Sequence, residues 1–195
     1  ECKMQYGFLL AILSPIVWAM MNVFDKYIVS KKVKTPIAYT AVVGLTNFLY
    51  AIIIGIFVTF FVGWQGVRIT DLIFPIIAGI SLGLVAFFYI LVLDSEDVCH
   101  VIGLMYVYPI LVGLLSFIIL HERLSPISYV GVIITILGAI LLSIRMKQVH
   151  KNAKIFFIIL IIIFSALNEF FVKLSTINIS VLQGLVVNNI SLGLT

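Results

Sequence analysis

Six runs of mostly apolar residues fill almost the whole chain, near residues 7–29, 37–62, 72–93, 99–120, 126–144 and 155–177, and a seventh begins near 180 and is cut short at Thr195. A helix needs about 20 such residues to cross a bilayer. A transmembrane barrel would instead need strands of ~10 residues that alternate in polarity. Ile155–Phe164 is unbroken apolar sequence, and Ile133–Leu142 is interrupted only by Thr135 and Gly138. Such runs fit lipid-facing helices. Of the 195 residues 63% are hydrophobic and 10% charged, where a soluble domain has about 25% charged. A soluble domain of this size still leaves about 30% of its unfolded surface wet, and these charges are too few to cover it. A soluble domain, a disordered chain and a nucleic-acid binder are excluded. The expected fold class is all-α: a multi-pass transmembrane helix bundle.

The connectors are short and rich in helix breakers: Ser30–Pro36, Gly63–Asp71, Asp94–Asp97, His121–Pro126 and Arg145–Lys154. Pro36 and Pro126 suit the first turn of a new helix, where a missing N–H costs nothing. Pro75 is close enough to a helix start to be harmless, whereas Pro15 and Pro109 fall inside runs and are expected to kink or loosen them. The basic residues cluster. Lys31, Lys32, Lys34, Arg145, Lys147, Lys151 and Lys154 share one side, and Lys3, Arg68 and Arg123 lie on the other. The positive-inside rule puts the richer side in the cytoplasm and the N-terminus outside. Cys2 and Cys99 are too few for a disulfide framework or a thiolate metal site. The first run has no small-residue cleavage site and reads as a span rather than a signal peptide. Met4 is the expected native start, and the end inside an apolar stretch is expected of a fragment of a longer protein.

The chain also echoes itself. A shift of 147 residues lays Ala19 on Ala166, Phe24 on Phe171 and Lys26 on Lys173. Both stretches, Trp18–Lys26 and Ser165–Lys173, are apolar helices that gain an Asn, an acid and a Lys near the end (Asn22, Asp25 and Lys26; Asn168, Glu169 and Lys173). Five spans separate the copies, so the second enters the membrane from the opposite side. That pattern is an inverted-topology repeat, a signature of secondary transporters.

Residues 72–144 resemble the second half of an EamA domain of the drug/metabolite transporter superfamily. The resemblance rests on Phe88-Tyr89, Asp94-Ser-Glu96, Tyr108-Pro109, Leu120-His121-Glu122-Arg123-Leu124, Gly131 and Gly138–Ser143. The family reads Gly where this chain has His121. The opening Trp18, Asn22 and Asp25-Lys26 look like the family's first span. The resemblance implies a ten-helix carrier of two inverted five-helix repeats, with residues 5–145 as the first repeat and 153–195 as the incomplete start of the second. It also implies both termini in the cytoplasm, opposite to the basic-residue count.

Ionisable groups within spans are costly, about 2.5–3.5 kcal/mol each at a helix centre on insertion scales, and mark functional sites by default. Trp18, Asn22, Asp25, Lys26, Tyr89, Tyr106, Asn168, Glu169 and Lys173 are the candidate solute-pathway residues. Glu169 and Lys173, spaced i, i+4, can pair. The alternatives stay open: the lysines can snorkel to the interface, and the tyrosines, Tyr108 included, can anchor at headgroup level. Structural roles are expected for Pro109, for Glu122 and Arg123 in positioning the fifth span, and for Gly131 and Gly138 in helix packing. Gly79-x-x-x-Gly83 allows close helix approach.

Two sharper motifs carry less. Gly79-Ile-Ser81-Leu-Gly83 spells a nucleophile elbow, but that chemistry needs a strand–turn–helix and a base, and the motif is mid-helix. Asp94, Glu96, Asp97 and His100 could hold a divalent ion, yet in a single connector such acids more often cap the next helix. No Gly-rich phosphate loop follows a strand. The expectation is a plasma-membrane transporter of a small solute working by alternating access. It is not an enzyme and has no catalytic residues, metal or cofactor. A membrane-embedded metal-dependent enzyme and a non-transporting scaffold are the rivals. The expected partners are the solute, the lipid bilayer and, as an open alternative, a second copy of the chain; no nucleic acid is expected.

Overall fold

The computed structural model describes residues 2–31, 35–64, 66–94, 96, 98–122, 125–144 and 152–195, with the side chains of 2–12, 36, 99–100, 139–140, 142–144 and 152–153 left outside the description. The described residues form eight α-helices: α1 (Cys2–Lys31), α2 (Pro36–Phe61), α3 (Ile73–Leu93), α4 (Val98–Met105), α5 (Tyr108–Leu120), α6 (Pro126–Ile144), α7 (Asn152–Asn178) and α8 (Val181–Leu194). A 3-10 turn at Ile69–Leu72 leads into α3. Among the described residues four helical stretches are long and apolar enough to cross a membrane: Ile37–Phe61, Ile69–Leu93, Val101–Leu120 and Lys154–Asn178. Over the described residues Pro126–Gly138 and Val181–Leu194 are shorter apolar helices. At 30 residues α1 has the length of a span and runs through Pro15 without a break.

Local chemistry sets the helix ends. Pro36 opens α2 behind an extended Thr35. Gly63, at φ 77°, ends it, its N–H donating to the Val58 carbonyl at 2.7 Å. Only glycine enters that left-handed region without steric cost. The fourth run divides: α4 stops at Met105 and α5 starts at Tyr108. Pro109 is the cause we assign. It has no N–H, and its ring would collide with the carbonyl four residues back, that of Met105. At the start of α8, Ser180 and Gln183 cap each other: Gln183 N–H donates to Ser180 Oγ at 3.3 Å, and Ser180 N–H donates to Gln183 Oε1 at 2.9 Å. Two of the orphan donors of the helix end are thereby satisfied.

α3 is the axis of the bundle. It packs most extensively against α7 and α8, and also touches α1, α2 and α4. The core gathers at its C-terminal end, where Val85, Ile90, Val92 and Leu93 meet Val29 of α1, Val101 of α4, and Ile158 and Ile161 of α7. Phe88 stacks between Phe157 and Phe164 of α7, at 5.6 and 6.2 Å. α8 sits close on α3 because Gly79 and Gly83 have no side chain to hold it off. A Cβ on Gly83 would stand 2.8 Å from Thr195 Cβ, and one on Gly79 would stand 2.6 Å from Ser191 Cβ. Gly193 packs likewise on α2, where its Cβ would lie 2.7 Å from Phe48 Cβ. The packing expected of Gly131 and Gly138 is not made within the described residues: nothing lies within 4 Å of a Cβ at either position. α6 packs on α4, and its two glycines face away from that contact.

The ends of the helices can be assigned to two sides. Lys26 Nζ, near the end of α1, donates to the carbonyls of Leu93 (2.6 Å) and Glu96 (2.9 Å) at the end of α3. Lys154, at the start of α7, pairs with Glu96 at 2.9 Å. The close of α1, the close of α3 and the start of α7 therefore share one side, called here the α3-exit side. On the opposite side Lys173 pairs with Glu122 after α5, Asn178 donates to Asp71 Oδ1 before α3 at 3.0 Å, and Gln183 donates to the Gly63 carbonyl at 2.8 Å. α1 and α7 thus cross in opposite directions.

Candidate functional site: a polar cluster between α1, α2 and α3

Near the α3-exit side, three helices that are otherwise apolar bring polar side chains together. Asn22 and Asp25 come from one side of α1, being three residues apart. Tyr39 comes from the second turn of α2, and Tyr89 from the last two turns of α3. Tyr39 Oη donates to Asp25 Oδ1 at 2.5 Å, and Tyr89 Oη donates to Asn22 Oδ1 at 3.1 Å. Asn22 and Tyr89 are buried, while Asp25 and Tyr39 are half-buried. Lys26, next in sequence to Asp25, points elsewhere on the helix and donates to the Leu93 carbonyl, at the negative end of the α3 dipole, and to the Glu96 carbonyl just beyond it.

The remaining candidates divide. Asn168 is buried, and its Nδ2 donates to the Ala78 carbonyl in the middle of α3 at 2.9 Å. Lys173 does not pair with Glu169, the neighbour that the i, i+4 spacing offered. It pairs with Glu122 instead, so Glu122 ties the end of α5 to α7. Glu169, Trp18 and Tyr106 are exposed, with no side-chain hydrogen bond among the described residues; Tyr106 sits at the break between α4 and α5. Arg123 and Asp97 lie outside the described residues. Among those that are described, no three His, Cys, Asp or Glu side chains gather as a metal site, and Glu96 is engaged by Lys154.

Sequence reasoning missed Tyr39, which supplies the only hydrogen bond to the Asp25 side chain among the described residues. No local signal marks it. Its partner is on another helix, and the pair exists only because α2 brings Tyr39 up to α1. The arrangement holds a carboxylate, two phenol oxygens and an amide inside an apolar bundle. Those groups can orient a polar solute by hydrogen bonds.

An apolar helical bundle with antiparallel α1 and α7, and polar groups drawn onto one central helix, is the architecture of a multi-pass membrane protein. The profile of the EamA-like transporter family matches residues 5–144. The chain belongs to that family, and with it to the membrane transporters of the drug/metabolite type. No curated protein and no solved structure matches the chain.

Proposed function

We propose that the chain is part of a secondary transporter that carries a small solute (a metabolite, an amino acid or a drug) across the plasma membrane by alternating access. One observation carries the reading: α1 and α7 cross in opposite directions, and each anchors a buried asparagine on the same helix, Asn22 on Tyr89 and Asn168 on the Ala78 carbonyl of α3. Two inverted units rocking about a shared element expose a central site first to one side and then to the other. Residues 5–145 form the first unit, and residues 153–195 open the second.

Solute drives such a cycle only through contacts that differ between the two states. Asp25, Asn22 and Tyr89 on one helix pair and Glu169 on the opposing helix are the groups that supply those contacts. α7 is fastened at both ends, by Glu96 to Lys154 and by Glu122 to Lys173. Releasing one end while the other holds opens one side alone.

The test uses the full chain with Cys2 and Cys99 replaced by serine and a single cysteine at Ile155 or Ile177, at opposite ends of α7. A membrane-impermeant maleimide is applied to sealed vesicles of each orientation. Alternating access expects conditions that raise labelling at one position to lower it at the other. Labelling that stays constant at both positions under every solute tried would defeat the reading.

A further inference from the structure

We infer that the Asp25 cluster is a binding site for the ammonium group of a small organic cation; this rests on the transport reading above and narrows it. The starting point is a count of charges at the α3-exit side. Three described cations stand there. Lys154 is matched with Glu96, Lys26 lies on the α3 C-terminal carbonyls, and Lys31 lies over the Tyr27 ring, 5.3 Å from its centroid. None of them forms an ion pair with Asp25. A carboxylate within a span is expensive, and it is ordinarily paired with an opposite charge.

The one hydrogen bond to the Asp25 side chain among the described residues comes from Tyr39. Tyr39 donates to Oδ1 across 2.5 Å. A phenol donor satisfies one lone pair and cancels no charge. The second carboxylate oxygen keeps its acceptor capacity, and the phenol oxygens of Tyr39 and Tyr89 are acceptors as well. The cluster is thus rich in acceptors around a carboxyl group that no described cation pairs with, and an ammonium with two or three N–H donors suits such a set.

The surroundings suit an organic cation better than a bare ion. Trp18, Asn22 and Asp25 follow the i, i+4, i+7 spacing and share one side of α1. Trp18 is 55% exposed, so its ring is open to a ligand's apolar body two turns from the carboxylate, and the face of an indole attracts cations in its own right. A bare metal ion would instead ask for several oxygen ligands, and here one residue supplies the charge.

Three isosteric probes test the inference: phenethylamine, phenylethanol and phenylacetate, which share a body and differ in charge. Uptake of each is measured in proteoliposomes holding the full chain. Phenethylamine should be taken up in preference to both others. Asp25→Asn should lower its uptake by about 30-fold or more, the cost of removing one partner of a close charge pair. Asp25→Glu should keep the preference, and Tyr39→Phe should lower uptake by several-fold without changing the order of the probes. All three variants are checked for insertion and stability against the parent chain.

Equal uptake of all three probes, or an ammonium preference that survives Asp25→Asn, overturns the inference. So does an equal loss of every probe in Asp25→Asn, which would make Asp25 a site for a coupling proton. A chain whose α7 cysteines alternate in labelling, yet which shows no ammonium preference, keeps the transport reading and loses this one. Failure of both measurements removes the two together.

Discussion

Lys154 and Lys173 stand on one helix, 19 residues apart, and each is paired with a glutamate from the first 144 residues, Glu96 and Glu122. At 1.5 Å per residue that is about 28 Å, close to the ~30 Å thickness of a hydrocarbon core. The two pairs are therefore placed to meet the two interfaces. They differ in exposure: 20% and 12% for Lys154 and Glu96, against 41% and 52% for Lys173 and Glu122. Glu96→Gln should cost about 2 kcal/mol of stability, because it leaves a half-buried ammonium unmatched. Glu122→Gln should cost less than about 1 kcal/mol, the worth of an exposed pair. Thermal unfolding in detergent measures both. The charge-swapped double variant Glu96→Lys with Lys154→Glu should recover most of the first loss.

The same lysines show where local sequence rules stop. Four of the six expected spans were legible because twenty apolar residues have few other uses, and the break before Tyr108 was legible in Pro109. The close approach at Gly79 and Gly83 was also readable. The partner of Lys173 was not: an i, i+4 rule sees only its own helix, and Glu122 arrives from the end of α5. Tyr39 was hidden for the same reason. Gly131 and Gly138, seven apart on one side of α6, looked like a packing seam, and that spacing cannot say whether a neighbouring helix lies opposite. The cluster around Asp25 was half legible: its α1 members stand out as polar groups in an apolar run, and its α2 member does not.

Gly79 and Gly131 make a matched pair of opposite sign. Both are helical, so adding a methyl group gains about 0.5–1 kcal/mol in backbone propensity at either. At Gly131 nothing is near, and Gly131→Ala should stabilise the chain by that amount. At Gly79 the new Cβ would overlap the Asn188 carbonyl oxygen and Ser191 Cβ. α8 would have to move off α3, a net cost of about 1–3 kcal/mol. Unfolding midpoints of the two variants should move in opposite directions.

Tyr89→Phe tests the α1–α3 contact. The phenol is the donor to Asn22 Oδ1, and both residues are buried. Removing the hydroxyl leaves a buried amide oxygen without that donor, at a cost of about 1 kcal/mol, the usual size of a hydrogen bond between helices in a membrane. Among the described residues α1 packs on α3 and α4 and is tied to α2 through Tyr39 and Asp25, while α7 packs mainly on α3, so the loss should be local. Hydrogen exchange should quicken in α1 while α3 and α7 keep their protection. Uniform loss across all three helices would contradict this.

His121 is the one non-glycine residue at positive φ among the described residues, at φ 51° and ψ 24° where α5 ends. The EamA-like pattern has glycine there. The chain thus keeps the left-handed turn and carries a side chain through it, at a steric cost of about 1–2 kcal/mol. The imidazole is exposed and makes no hydrogen bond among the described residues that would offset the cost. His121→Gly relieves the clash, and the freer unfolded chain takes back about 0.5–1 kcal/mol. The expected net gain is about 0.5–1 kcal/mol, seen as a higher unfolding midpoint. His121→Val should shift it the other way, because a β-branched residue tolerates that region least. Glu122 follows directly and pairs with Lys173, so the valine variant should also loosen that end of α7, read as faster labelling of a cysteine at Ile177.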